Sequence, residues 1–278
     1  MKYVIIIIGL AIWLSGCSSS SDDHVEDMAR EHAEDAPVSN EVSDASPAAE
    51  VETSTVVYAT VDGEEATGYL ARPKGVEGPL PGIIVIHEWW GLNDNIRSMA
   101  DQLAGEGYQA LAVDLYGGET GSTPDEAMAL MSASMEKTPA LTENVKQAFA
   151  YLEGDGQKVG TIGWCFGGGW SLNAALALPD QVDATVIYYG RLVTDAEALE
   201  PLQMPIIGFF GAEDQGIPVD SVRAFEQALE ALEKDAAIHI YDGADHAFAN
   251  PSGRNYQAEP ADDAWGKTLA FFETHLKS

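Results

Sequence analysis

Residues 160–170 read GTIGWCFGGGW, and they place one cysteine between glycines where an apolar strand turns into a helix. Gly163, Cys165 and Gly167 match the Gly-x-nucleophile-x-Gly turn, in which a side chain at either flanking position would collide with the neighbouring strand or helix. The turn also puts Cys165 at a helix N-terminus, whose partial positive charge favours the thiolate. The segment therefore predicts a nucleophilic cysteine. The simpler alternative is a buried thiol in a glycine-rich turn.

A nucleophile on such a turn needs an acid and then a histidine, in this order along the chain. Asp214 follows the apolar run that ends at Gly211, and His246 follows the last strand-like segment. Glu213 is adjacent to Asp214, but its place in the turn suits the role of the acid less well. We therefore predict a catalytic triad of Cys165, Asp214 and His246.

The other histidines are weaker candidates for catalysis. His24 and His32 lie in the polar N-terminal region, His239 lies inside a strand-like segment, and His275 ends the last helical pattern. His87 ends a strand near the predicted site, where a packed, hydrogen-bonded role and a catalytic role are equally compatible with the sequence. No grouping of His and Cys has the spacing of metal ligands, so we expect no metal site and no cofactor.

The remainder of the chain alternates strand-like and helix-like segments, which predicts an α/β fold. Two β-rich runs separated by residues 62–65 predict an N-terminal antiparallel hairpin. The later apolar runs, such as GIIVI at 82–86, are typical of parallel strands buried on both faces. We expect a mostly parallel, doubly wound sheet with helices on both faces and with the active site at the carboxyl ends of the strands.

The N-terminus resembles a bacterial lipoprotein signal. A run of twelve apolar residues, 3–14, precedes Ser15, Gly16 and Cys17, as in a lipobox whose cysteine carries the lipid. An ordinary secretory signal, with Cys17 incidental, is the alternative. We expect an exported protein, lipid-anchored in the outer membrane of a Gram-negative bacterium and facing the periplasm, because Ser18 rather than Asp follows the cysteine.

Residues 18–50 contain ten acidic residues and a single basic one, Arg30, with almost no large apolar side chains. Such a composition cannot bury enough apolar surface to offset its ordering entropy, so it predicts a disordered tether. The predicted boundaries are 1–17 for the signal, 18–51 for the tether and 52–278 for the folded domain. An acidic tail that binds a partner is the alternative for the tether.

The formal net charge of the chain is −31. A phosphate backbone needs a basic face, so the charge excludes nucleic acid as a partner class. Cys17 and Cys165 are the two cysteines of the sequence, and an acylated Cys17 cannot form a disulfide. Cys165 would then be a lone thiol in an oxidising compartment, where a redox sensor would lack a resolving cysteine. We expect the domain to be a monomer.

Several motifs together resemble the dienelactone hydrolase family of α/β-hydrolases over residues 55–276. They are HEWWGLNDNIR at 87–97, GWCFGGG at 163–169, YYG at 188–190, GAEDQGIP at 211–218 and DHAFAN at 245–250. The resemblance implies that Glu88 contacts the nucleophilic thiol until substrate displaces it. It also implies that the backbone N–H groups of Trp89 and Phe166 hold the oxyanion.

The sequence departs from the family where substrate would bind. The best-known members grip a substrate carboxylate with arginines, and one of these arginines stands where this chain has Asn250. The tryptophan pair at 89–90 favours an apolar, aromatic-walled cleft. The candidate pocket residues are Trp90, Tyr189, Arg191 and Asn250. We therefore expect neutral substrates to be preferred, unless a carboxylate is reached by Arg97, Arg191 or Arg254.

These patterns predict a tethered hydrolase that cleaves an ester or lactone bond. Cys165 would form an acyl-thioester, His246 would act as base and then as acid, and Asp214 would orient His246. The partners would be a small ester or lactone and the membrane that holds the anchor. The alternative is a non-catalytic binding lipoprotein that retains a hydrolase pocket.

Overall fold

An eight-stranded sheet, ordered β1-β2-β4-β3-β5-β6-β7-β8, forms the centre of the molecule. The computed structural model describes residues 46–154 and 156–277. β1 pairs with β2 and β2 with β4 in antiparallel fashion, and every later pair is parallel. The strands are β1 (Val51–Val61), β2 (Glu64–Pro73), β3 (Gly82–Ile86), β4 (Gln109–Val113), β5 (Val159–Trp164), β6 (Ala184–Tyr188), β7 (Ile206–Gly211) and β8 (Ala236–Tyr241).

Helices cover both faces of this sheet. They are α1 (Asp94–Gly105), α2 (Pro124–Met135), α3 (Thr138–Glu153), α4 (Phe166–Ala177), α5 (Ala196–Leu199), α6 (Val219–Ala231) and α7 (Ala258–Leu276). Apolar residues of α1 and α7 form one cluster with the sheet, and those of α3, α4 and α6 form a second cluster on the opposite face. Burying one large side chain, such as Phe272 of α7, stabilises the fold by about 1.5–3 kcal/mol.

Local chemistry places the ends of the helices. The side chain of Asn93 accepts a hydrogen bond from the Ile96 N–H and caps α1, and Thr123 caps α2 in the same way ahead of Pro124. β3 is buried at all five positions, because α1 covers one of its faces and α3 and α4 cover the other. A continuous apolar run is what a strand covered on both faces requires.

The predicted fold is confirmed: a mostly parallel sheet with an antiparallel N-terminal hairpin and helices on both faces. β1 begins at Val51, one residue before the predicted start of the folded domain at residue 52. The chain just before β1 also touches the domain. A Cβ atom on Gly105 would lie 2.8 Å from the Cβ of Pro47 and from the N of Ala48.

The predicted signal peptide, the lipobox Cys17 and the tether as far as residue 45 lie outside the described residues. Within residues 46–154 and 156–277, no helix combines the length and the apolar character that crossing a bilayer requires.

Candidate active site

The three predicted triad residues follow three different strands of the sheet. Cys165 follows β5, Asp214 follows β7 and His246 follows β8. These strands are parallel, so their carboxyl ends meet at one edge of the sheet. All three residues are buried.

Cys165 has a backbone φ of 56° at the turn between β5 and α4. This left-handed conformation is rare for a residue with a side chain and costs about 1–3 kcal/mol. The surrounding glycines allow the turn, because a Cβ on Gly163 would lie 2.0 Å from the O of Gly167, and one on Gly167 would lie 2.3 Å from the O of Ile86. Close packing of the helix against β3 and β5 therefore holds Cys165 in place.

Asp214 and His246 form a buried hydrogen-bonded pair, with 2.8 Å between Asp214 Oδ2 and His246 Nδ1. The second carboxylate oxygen of Asp214 accepts from the Ile217 N–H at 2.8 Å. Burial works to raise the pKa of Asp214, but the charge of His246 and these hydrogen bonds outweigh it and hold the pKa below the ordinary value. Asp214 is thus a carboxylate that fixes the orientation of the imidazole, whereas Glu213 is exposed.

His246 interacts with the cysteine as well as with the aspartate. Burial works to lower the pKa of His246, yet the charges of Asp214 and Cys165, together with hydrogen bonds to both, raise it well above the ordinary value. A raised pKa keeps the imidazole protonated at neutral pH. The arrangement therefore favours an ion pair between the Cys165 thiolate and the His246 imidazolium.

Glu88 lies directly after β3 and is buried, with 3% of its surface exposed. Its Oε2 accepts a hydrogen bond from Asn250 Nδ2 at 2.9 Å. The orientation of the Asn250 amide is set by its Oδ1, which accepts from the backbone N–H and the hydroxyl of Ser252 and from Asn95 Nδ2. Asn250 thus gives Glu88 a neutral partner.

The two predicted oxyanion donors belong to the turns that follow β3 and β5. Phe166 is the first residue of α4, so its N–H has no acceptor within the helix. Trp89 follows Glu88 in the turn after β3, which the nucleophile turn approaches closely: a Cβ on Gly167 would lie 2.6 Å from the O of His87. Backbone donors from both sides can therefore face the space near Cys165.

Tyr189 follows β6 and has a φ of 35°. Its ring meets that of His246 edge-on, with 5.2 Å between the ring centroids. Burial, together with the negative charges of Glu88 and Cys165, raises its pKa, so the phenol stays protonated. Its hydroxyl has no hydrogen-bond partner among the residues that the structure describes, and it can donate to a bound substrate.

A cavity of about 190 Å³ opens beside Cys165 and His246. Apart from these two residues, it is lined within the described chain by Met131, Met135, Thr138, Phe166, Gly169, Trp170, Asn173, Tyr189, Arg191 and Ile217. The structure thus places Tyr189 and Arg191 of the predicted pocket residues on the cavity. The methionines of α2 were missed, although their i, i+4 spacing places them on one helix face.

Trp90 and Asn250 were expected in the pocket, and the structure places both away from this cavity. Trp90 packs edge-on against Trp89, with 4.8 Å between the ring centroids, and its carbonyl accepts from Gly121. The Asn250 side chain forms hydrogen bonds with Glu88 and with Ser252 of its own turn. The expected wall of two tryptophans is therefore replaced by methionines together with Trp170.

Of the three arginines considered, Arg191 lines the cavity. Its guanidinium forms no ion pair or hydrogen bond within the part of the chain that the structure describes. Arg97 pairs instead with Asp94 at 2.8 Å and borders a different cavity, and Arg254 lies outside the set that lines this one. No cluster of three or more His, Cys, Asp or Glu side chains suited to a metal ion occurs among the described residues.

Comparison with known proteins agrees with this geometry. The profile of the dienelactone hydrolase family matches residues 66–276. A Saccharolobus solfataricus protein provisionally named a carboxymethylenebutenolidase is 32% identical over 254 residues, covering 77% of this chain and 96% of its own. The Aquifex pyrophilus protein usf is 34% identical over 225 residues, covering 77% of this chain and 96% of its own.

A solved structure extends the comparison to three dimensions. The crystal structure of a provisionally named dienelactone hydrolase from Klebsiella pneumoniae superposes with a TM-score of 0.73 at 31% identity, covering 81% of this chain and all of that one. The sheet order, the glycine-flanked turn at Cys165 and these matches lead to one conclusion: this chain belongs to the dienelactone hydrolase family, a family of α/β-hydrolases.

Proposed function

We propose that the protein hydrolyses an ester or lactone through an acyl-thioester on Cys165. The observation that carries the proposal is the buried Asp214–His246 pair, joined at 2.8 Å, whose imidazole also hydrogen-bonds to Cys165. The order of cysteine, acid and histidine along the chain is that of an elbow nucleophile and its partners. In this proposal Glu88, which accepts a hydrogen bond from Asn250, contacts the thiol in the resting state.

The first half-reaction forms the thioester. The Cys165 thiolate attacks the carbonyl carbon, and the carbonyl electrons move to the oxygen, which the N–H groups of Trp89 and Phe166 stabilise. Collapse of this intermediate breaks the bond to the alkoxy oxygen. His246 gives its proton to that oxygen, and for a lactone the leaving alcohol stays attached to the acyl chain.

The second half-reaction regenerates the enzyme. His246, now neutral, accepts a proton from a water molecule that attacks the thioester carbonyl. The carbon–sulfur bond breaks, the acid leaves, and the thiolate–imidazolium pair is restored. Asp214 stays ionised throughout and keeps Nδ1 of the imidazole occupied, so that Nε2 faces the reaction.

The residues that line the cavity favour a substrate with an apolar body and an anionic end. Met131, Met135, Trp170 and Ile217 offer apolar contacts, and Arg191 offers a guanidinium that pairs with no residue of the described chain. The expectation of a neutral substrate was based on the absence of the family arginines. The sequence analysis left open that Arg191 could reach a carboxylate instead, and Arg191 lines the cavity. Relatives provisionally named carboxymethylenebutenolidases are named for a lactone that carries a carboxylate, which fits this arrangement.

The substrate proposal is tested with a carboxylated dienelactone and its methyl ester. An exposed arginine–carboxylate pair contributes at most about 1 kcal/mol, so Arg191→Gln should lower kcat/KM for the acid about three- to fivefold. The value for the methyl ester should stay unchanged. Arg223→Gln is the control, because Arg223 pairs with Glu226 on α6, outside the residues that line the cavity. Equal losses for both substrates would reject Arg191 as the anion contact.

We further propose that Cys17 carries a lipid that holds the domain at a membrane. The proposal rests on the lipobox and on the acidic segment that separates it from β1. Cys17→Ser should move the protein from the membrane fraction to the soluble fraction and leave kcat/KM unchanged, because position 17 lies 34 residues before the first strand of the domain. Recovery of this variant in salt-washed membranes would refute the anchor.

A further inference from the structure

His87 is a fully buried, titratable side chain to which the reaction assigns no step. It lies at the end of β3, immediately before Glu88, and none of its surface is exposed. Its Nε2 lies 3.1 Å from the Leu115 N–H and accepts from it. Nδ1, 2.6 Å from the Glu88 carbonyl oxygen, must therefore carry the proton and donate it. Both ring nitrogens are thus engaged with the backbone.

Burial is the main cause that lowers the pKa of His87 below its ordinary value. The ring is consequently neutral at neutral pH, which agrees with one donating and one accepting nitrogen. A neutral imidazole with both nitrogens occupied cannot shuttle protons during turnover. Its contribution to the site has to come from what its hydrogen bonds hold.

The donated hydrogen bond fixes the peptide group between Glu88 and Trp89. The Glu88 carbonyl accepts from His87 Nδ1 and also from the Gly91 N–H at 3.2 Å. No described peptide bond is cis, so the carbonyl and the N–H of this planar group point in opposite directions. With the carbonyl tied towards the imidazole, the Trp89 N–H points away from it.

His87 also contacts the other donor residue. Its ring stacks on Phe166, with 5.8 Å between the centroids and 18° between the planes. The bond to Leu115 ties the same ring to the loop after β4, and Tyr116 of that loop meets the ring edge-on at 4.6 Å. One imidazole therefore joins the turn after β3, the start of α4 and the loop after β4.

We propose that His87 is a positioning residue that sets the Glu88–Trp89 peptide so that its N–H faces the developing oxyanion. The inference rests on the proposed acyl-thioester mechanism and adds to it the group that organises one of the two donors. It predicts that the bond from Nδ1 matters more for catalysis than the bond to Nε2.

Two isosteric variants separate these bonds. The Asn side chain in His87→Asn places its amide nitrogen near the position of Nδ1, where it can still donate to the Glu88 carbonyl. The Gln side chain in His87→Gln places its amide oxygen near the position of Nε2, where it can accept from Leu115 but leaves the carbonyl without this donor. Loss of one oxyanion donor costs about 10²–10³ in kcat, so His87→Gln should lose this much with KM nearly unchanged. His87→Asn should retain kcat within about tenfold.

The rate of alkylation of Cys165 by iodoacetamide provides a readout that a general packing defect would move. Alkylation displaces iodide and develops no oxyanion, so this rate should stay within about twofold in both variants. The melting temperature is recorded beside it, and His239→Gln, on β8, serves as the matched histidine control with unchanged kcat.

Parallel losses of turnover and alkylation in His87→Gln, or turnover equal to the wild type, would overturn the inference. An equal loss of kcat in His87→Asn and His87→Gln would do so as well. Failure of the proposed function has a different signature, namely a wild-type protein that is alkylated at Cys165 but turns over none of the esters and lactones tested.

Discussion

Cys165→Ala should abolish hydrolysis, with kcat reduced at least about 10⁴-fold, because the variant lacks the thiol that forms the acyl intermediate in the proposed mechanism. Cys165→Ser should be almost as inactive. A serine hydroxyl stays protonated at neutral pH and needs a neutral base during attack, and the charge of Asp214 works to raise the pKa of His246, which disfavours the neutral form of that base. The thiolate needs no such base, since its proton already resides on the imidazole. Steady-state rates with the preferred ester measure both effects.

Two controls make this result specific. The melting temperatures of both variants should stay close to that of the wild type, because sulfur, oxygen and hydrogen all fit the N-terminus of α4 without moving the glycines. Mass spectrometry after rapid quenching should detect an acyl adduct on the wild type and none on Cys165→Ala. Hydrolysis by Cys165→Ala at the wild-type rate would show that another group is the nucleophile.

Asp214→Asn is expected to lower kcat about 10³-fold, because the imidazole loses the carboxylate that orients it and stabilises its cation. The charge of Asp214 contributes to the raised pKa of His246, so this pKa should fall in the variant. Deprotonation of the imidazolium sets the alkaline limb of the pH–rate profile. That limb should therefore move to lower pH, which a profile of kcat/KM between about pH 5 and 10 would reveal.

The pH dependence of stability should also reflect the interaction between Asp214 and His246. The raised pKa of folded His246 adds stability that is complete below its unfolded pKa of about 6.5 and is lost as the pH rises through the folded value. The lowered pKa of Asp214 adds stability that is lost as the pH falls through its folded value. The melting-temperature difference between wild type and Asp214→Asn should thus be largest between about pH 4 and 6.5 and shrink at alkaline pH.

Glu213→Gln is the matched control for the acid. It removes one negative charge at the neighbouring position, but its side chain is exposed and does not touch His246. Its activity and pH profile should equal those of the wild type. If the alkaline limb shifted in Glu213→Gln and stayed fixed in Asp214→Asn, Glu213 rather than Asp214 would be the acid that acts on His246.

The sequence was sufficient to predict the fold, and the three residues that it indicated as a triad come together at one edge of the sheet, because both depend on local patterns. Continuous apolar runs mark most of the buried parallel strands, and each candidate side chain follows the end of a strand by at most five residues. Asp214 was preferred over Glu213 because of its place in the turn after β7, and the structure places Asp214 against His246.

The walls of the cavity could not be predicted in this way. Met131 and Met135 come from a helix whose distance from Cys165 depends on how α2 packs, which no local pattern reports. Asn250 was assigned to substrate by analogy with an arginine, and its contact with Glu88 arises between residues 162 positions apart. The two hydrogen bonds of His87 likewise depend on where the loop after β4 lies.

The difference in packing between α2 and the turn at Cys165 has a consequence for protein engineering. The turn tolerates almost no change, because a Cβ on Gly163, Gly167 or Gly168 would lie 2.0–2.4 Å from backbone atoms. Met131 and Met135, by contrast, are unbranched side chains on a helix that contributes neither a nucleophile, nor a base, nor an oxyanion donor. Libraries that randomise these two positions can therefore search for new acyl-chain selectivity while the catalytic framework stays constant.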